Sequence, residues 1–332
     1  KSAPMIRESD FSAPAWARSP HIQTLWGPMF RRIEPPERRT EKLGLDDGDH
    51  LWLHHAGPDP GPGQDRVILL HGLSGCADSH YMVGLQRVLA EQGIPSTVMN
   101  ARGAFRPNDR ARSYHAGETA DLDELIHRLH ERDPAASLVP VGVSLGGSRL
   151  LNWLAEGGHP AVPTAVAISV PLNLRAGSLR LDQGLSRLYR NHLLKQLVAQ
   201  QQAKRQHLRQ AAPDEAERHE AAGPLTGIRT FRDFDNRVVA PLHGFDDAWD
   251  YYERASPGPR LARITTPTRL IQARDDPFMT PDCLPDQDRL GKKVTLEVSD
   301  HGGHVGFVQG RPLRPRYWLE DRIPQYLAEW ID

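Results

Sequence analysis

The chain has 332 residues, 39% hydrophobic and 25% charged, and its 41 basic and 42 acidic side chains leave a formal net charge of −1. That length can bury one large core plus an insertion, and the balanced charge excludes global steering toward nucleic acid or an anionic surface. Cys76 and Cys283 are too few and too far apart for a disulfide framework or a zinc cluster, so free buried thiols in a reducing cytoplasm are expected.

Residues 1–40 form an arm rich in proline and aromatics (Trp16, Trp26, Phe30), expected as an irregular segment packed on the core. Arg7, Glu8, Asp10 and Arg18 interrupt any apolar stretch there, so neither a signal peptide nor a membrane anchor is expected. Lys42 to Ala56 reads as a hairpin around Asp47-Gly48, and Gly57 to Gly63 as a surface loop. Strand and helix patterns then alternate. Strands are expected at Val67, Thr97, Val139 and Val166, with helices from Ser79, from Thr119 and after Gly147. The fold class is α/β, a mostly parallel central sheet flanked by helices. The alternation defines a core over 41–170 and 265–332, interrupted by a helical lid insert over 171–264.

Within the insert, Leu181, Leu185, Leu188, His192 and Lys195 keep helical spacing. Arg187, Arg190, Lys195, Lys204, Arg205 and Arg209 follow with no acidic residue among them. Such a face fits weak peripheral contact with a lipid surface. It also fits a solvated lid helix whose apolar side covers a site.

The chemistry-bearing motif is Gly142-Val143-Ser144-Leu145-Gly146, directly after the apolar run Leu138 to Val143. A strand that ends in G-x-S-x-G and leads into a helix is a nucleophile elbow, which holds a serine hydroxyl above the sheet. Such a serine needs a base, an acid to orient that base, and donors for an oxyanion. The chain order oxyanion strand, Ser, acid, His holds here. Val67 to Leu70 runs into His71-Gly72-Leu73, so the backbone N–H groups of Leu73 and Leu145 are the expected oxyanion donors. Strand Thr268 to Ala273 precedes Asp275-Asp276-Pro277, which offers Asp276 as the acid and Asp275 as its alternative. Strand Val294 to Val298 precedes His301-Gly302-Gly303-His304, where His304 is the expected base. His301 and His304 also have the spacing of an H-x-x-H metal pair, but the loop is glycine-rich and no third ligand has clear spacing. No metal and no cofactor are therefore expected.

These residues resemble the YheT-like esterases of the α/β-hydrolases and the related eukaryotic ABHD proteins over nearly the whole chain. The similarity is carried by Ser19 to Trp26, His71 to Gly75, Ser79 to Met82, Met99 to Gly103, Arg112 to Thr119, Thr230 to Asp235, Ala240 to Phe245, Asp275 to Met279 and His301 to Phe307. The resemblance implies a Ser144–Asp276–His304 triad, carboxylic-ester hydrolysis, and a helical insert between strands 6 and 7. Ala101 stands where many members carry an aromatic side chain, a change expected at the pocket wall. A small-molecule acyl ester of short to medium chain length is the expected substrate. Two rivals share the fold: an alcohol O-acyltransferase that resolves the same acyl-enzyme with an alcohol, and a binding protein without the chemistry.

Overall fold

In the computed structural model, which describes residues 5–331, strand residues alternate between two apolar layers. Ile68 and Leu70 point into one core with helices on that face, whereas Val67 and Leu69 point into the other. This period of two, buried on both faces, is what a central parallel strand requires. Nine strands form the sheet: β1 (Ile6–Glu8), β2 (Arg38–Gly44), β3 (His50–Ala56), β4 (Arg66–Leu70), β5 (Ser96–Asn100), β6 (Leu138–Val143), β7 (Ala165–Ile168), β8 (Thr268–Ala273) and β9 (Val294–Ser299). Their order is β1-β9-β8-β7-β6-β4-β5-β3-β2. The hairpin β2–β3 and the pair β3–β5 are antiparallel; every other neighbour in the sheet is parallel.

The N-terminal arm is not irregular. Ile6–Glu8 make edge strand β1, parallel to β9 with Ile6 opposite Leu296, and helix α1 spans Pro20–Phe30. Pro20 stands in the first turn, where a missing N–H costs nothing, and Pro28 lies in the last turn. Gly27 lets His80 pack against the helix: a Cβ there would sit 2.9 Å from the imidazole Nδ1. Helices α2 (His80–Glu91), α3 (Ala120–Arg132) and α4 (Leu145–Ala155) follow β4, β5 and β6. Leu122, Leu125 and Leu129 of α3 and Leu150 and Trp153 of α4 fill one core. Met82, Leu85 and Leu89 of α2 fill the other. Burying one such leucine contributes about 1.5–3 kcal/mol.

Between β7 and β8 the chain leaves the sheet. Helices α5 (Leu174–Leu181), α6 (Ser186–Ala211), α7 (Pro213–Ala221) and α8 (Phe231–Phe234), a π-helical turn (Asp235–Val239), α9 (Ala240–His243) and α10 (Ala248–Ala255) form the insertion. Leaving out β1, which belongs to the arm, β7 and β8 are the sixth and seventh core strands, so the insertion lies where it was expected. The single apolar stripe expected from Leu181 to Lys195 is broken, because Gly184 takes φ +52° between α5 and α6. Leu185 and Leu188 are consequently 60% and 65% exposed. A second small sheet, the hairpin β10 (Val308–Arg311) and β11 (Arg314–Tyr317), follows β9, and α11 (Trp318–Leu327) packs beside α2. Among the described residues, no helix is long and apolar enough to cross a membrane. Cys76 and Cys283 are free but half-buried, not buried.

The basic run of α6 is not one exposed face. Arg190 donates to Asp182 at 2.7 Å and Arg209 to Glu220 at 2.7 Å. Lys204 is buried; its ammonium donates to the carbonyl of Arg112 and, at 2.8 Å, to the Ser113 hydroxyl. Burial pushes this lysine's pKa from 10.5 down to about 7. Between those two values the unfolded chain binds more protons than the folded one, so this group's contribution to stability rises with pH, and its full penalty is present below about 7. Lys204→Met is therefore expected to stabilise the protein at pH 7 by about 1–3 kcal/mol and to flatten the rise in stability from pH 7 to 9. Urea unfolding of both proteins at each pH checks this; a variant that is less stable at pH 7 would contradict it.

Candidate active site

The elbow after β6 is built by close backbone contacts. Ser144 adopts φ +53° and ψ −119°, a conformation few non-glycine residues take. Its N–H donates to Ile168 O at 2.8 Å, and its carbonyl accepts from Ser148 N–H in the first turn of α4. A Cβ on Gly142 would lie 2.6 Å from Gly146 O, and one on Gly146 would lie 2.6 Å from His71 O. Both glycines are needed for the turn to close.

His304 reaches Ser144 from the loop between β9 and β10. Gly302 and Gly303 take φ +147° and +59°, which fold the loop back over the sheet. The His304 N–H donates to Thr24 Oγ1 at 3.0 Å, and the Val305 N–H to Ser169 Oγ at 3.0 Å. The imidazole lies between two partners: Nε2 is 2.9 Å from Ser144 Oγ, and Nδ1 is 2.8 Å from Asp276 Oδ2. Phe278 stacks on the ring at 3.9 Å between centroids and 8° between planes. The other oxygen of Asp276 accepts the Phe278 N–H at 2.8 Å. Asp275 serves the loop and not the imidazole of His304. Its Oδ1 accepts Gly303 N–H at 2.8 Å and its Oδ2 lies 3.5 Å from His301 Nδ1, while burial raises its pKa. The two histidines thus turn to different carboxylates.

The loop after β4 is held by two tyrosines. Gly72 N–H donates to the Tyr81 hydroxyl and Ser74 N–H to the Tyr114 hydroxyl, each at 2.9 Å. Leu73 lies between them. Among the described residues its N–H, like that of Leu145, has no acceptor within the protein. His71 is buried and neutral, its pKa pushed down to about 4. Its Nε2 accepts the Ala101 N–H at 3.0 Å, which leaves Nδ1 to donate to Gly72 O at 2.8 Å. Ala101 is buried and acts through its backbone; it does not line the cavity, contrary to the expected change at a pocket wall.

Ser144 and His304 open into a cavity of about 760 Å³ bounded by α1, the Leu73 loop and the insertion. Leu25 and Met29 of α1 and Leu185 and Leu188 of the insertion line it and are exposed. The insertion is fastened to the rest by His21 Nδ1 and the Tyr189 hydroxyl, 2.7 Å apart, and by Ser74 Oγ donating to Gln196 at 2.7 Å. The sequence reading gave no role to Thr24, Tyr81, Tyr114 or Phe278. Each lies within a string that carries the family similarity, and that was the available signal. Asp49, His50 and Asp109 could in principle converge on an ion, with ligand atoms within 4.8 Å of one another. The oxygens of Asp49 already accept from Arg102, Asn108 and the Asp109 N–H, and none of the three lines the cavity.

Residues 65–311 match the family described as alpha/beta hydrolase fold, and the chain belongs to that family. Within it the chain falls in the YheT-like branch, related to the ABHD proteins. The provisionally named esterase YheT of Escherichia coli (strain K12) is 36% identical over 324 residues, 94% of this chain and 91% of its own. Phospholipase ABHD3 of Homo sapiens is 27% identical across 99% of this chain and 81% of its own length. Among solved structures, the Pyrococcus furiosus esterase Pf2001 superposes with a TM-score of 0.57 at 17% identity, covering 99% of this chain and 100% of that one, a likeness of fold.

Proposed function

We propose that the chain is a serine carboxylesterase acting on short- to medium-chain acyl esters through an acyl-enzyme. The observation that carries this reading is the hydrogen-bonded line from Ser144 through His304 to Asp276, opening into an apolar-rimmed cavity. His304 Nε2 takes the Ser144 proton as Oγ attacks the ester carbonyl, and the N–H groups of Leu73 and Leu145 receive the oxyanion. Asp276 holds the proton on Nδ1 and stabilises the imidazolium. The tetrahedral species collapses as His304 returns the proton to the departing alkoxide. A water then adds to the acyl-enzyme by the same proton path and releases the acid. The insertion serves as the lid of the cavity. The name borne by YheT supports an ester and that borne by ABHD3, a phospholipase, supports one of lipid type, and Leu25, Met29, Leu185 and Leu188 supply a rim suited to an acyl chain.

The test is hydrolysis of p-nitrophenyl esters from acetate to palmitate, with and without added ethanol. Turnover is expected to peak at a medium chain length with the free acid as product. Ethyl ester as the main product would assign an acyltransferase, and no turnover on any ester, together with no labelling of Ser144 by a fluorophosphonate, would leave a binding protein.

A further inference from the structure

One buried ionisable side chain on the cavity wall has no task in that reaction. Seven carboxyl side chains are buried among the described residues: Asp49, Glu118, Asp121, Glu215, Asp235, Asp276 and Glu297. Six face a basic partner. Asp49 and Asp121 pair with Arg102, Glu118 with Arg149, Glu215 with Arg110 and Arg218, Glu297 with Arg269 and Arg322, and Asp276 with His304. Asp235 alone faces none; its one hydrogen bond is from the Tyr252 hydroxyl, at 2.6 Å. Arg175 of α5 and Arg232 of α8, which precede it in the insertion, stack on Trp249, each 4.8 Å from the ring centroid.

Asp235 begins the π-helical turn of the insertion and lines the same cavity as Ser144. Phe231, Phe234, Tyr251 and Tyr252 line that cavity too, within one apolar cluster. With no countercharge, burial raises the carboxyl to a pKa of about 7. A carboxyl left in that state lowers stability, and π-turns recur where a side chain is set for function. A carboxylate beside aromatic faces is the chemistry that receives a cation, through a charge-assisted hydrogen bond and the ring quadrupoles.

We propose that Asp235, with the rings of Phe231, Tyr251 and Tyr252, forms a subsite for a compact ammonium group carried by the substrate. The inference rests on the esterase reading for what is hydrolysed, but the binding it asserts is measured apart from hydrolysis. The competing account is that Asp235 only anchors Tyr252.

Calorimetric binding of hexylammonium and of 1-hexanol, equal in length, tests the charge. The native protein is expected to bind hexylammonium about tenfold tighter than hexanol. Asp235→Asn keeps the shape and can still accept from Tyr252; it is expected to abolish that preference and leave hexanol binding unchanged. Tyr252→Phe removes the hydroxyl but keeps the carboxyl and a ring, and is expected to preserve the preference. Equal binding of the two probes by the native protein overturns the subsite, as does a preference that survives Asp235→Asn. Weakening of both probes alike by Asp235→Asn, or loss of the preference in Tyr252→Phe, overturns it in favour of a neutral or anchoring role. Ester hydrolysis by the same preparations separates the two readings: turnover without ammonium preference sinks the subsite alone, and ammonium preference without turnover sinks the esterase reading alone.

Discussion

Ser144→Ala is expected to lower kcat for p-nitrophenyl ester hydrolysis by on the order of 10⁵–10⁶, to the residual level that binding and the oxyanion donors alone provide. The substitution removes one oxygen and keeps the Cβ, so the elbow at φ +53° is not strained further. The melting temperature should stay within a few degrees of the parent. Fluorophosphonate should label the parent protein at Ser144 and leave the variant unlabelled. An alanine variant that retains a tenth of the activity would assign the nucleophile elsewhere.

A second large effect distinguishes the adjacent carboxylates. Asp276→Asn is expected to reduce kcat about 10⁴-fold, because an amide N–H facing His304 Nδ1 favours the tautomer with its proton on Nε2, and that nitrogen then cannot accept the Ser144 proton. Asp275→Asn is expected to cost less than about tenfold, since an amide oxygen can still accept the Gly303 N–H at the position where Asp275 Oδ1 now does. Its effect should fall on stability and loop order. Steady-state kinetics on the two variants decide the matter: equal losses, or a larger loss at Asp275, would exchange their roles.

The readable parts of this fold were the ones whose pattern is local. Val67 to Leu70 and Leu138 to Val143 are continuous apolar runs because both faces of each strand are covered, and the elbow announces itself through two glycines that the turn cannot do without. Ser144 from the elbow motif, and Asp276 and His304 from their places after late strands and from the family resemblance, stand in one hydrogen-bonded line. The unreadable parts depend on distant partners. Strand β1 is three residues with two charges, a strand only because β9 offers it an edge. Helix α1 contains two prolines and a glycine and reads as a loop until His80 is seen to need the space beside Gly27. Lys204 sits in a basic, polar run that looks solvated, and its burial follows from the Arg112 carbonyl and Ser113 hydroxyl that meet it. Asp235 was one letter in a family string; its lack of a countercharge is a three-dimensional fact.

The brace between Thr24 and the His304 backbone spans 280 residues of sequence, and Ile6 meets Leu296 at the sheet edge. On a ribosome that adds residues from the amino end, β1 and α1 emerge before the rest of this fold and wait for partners near its other end. The imidazole's position is thus fixed late, only after β9 and the loop that follows it have been made. A nascent hydrolase with its elbow already formed would remain idle until that loop emerges, and loss of α1 would act on turnover as directly as a change beside the serine.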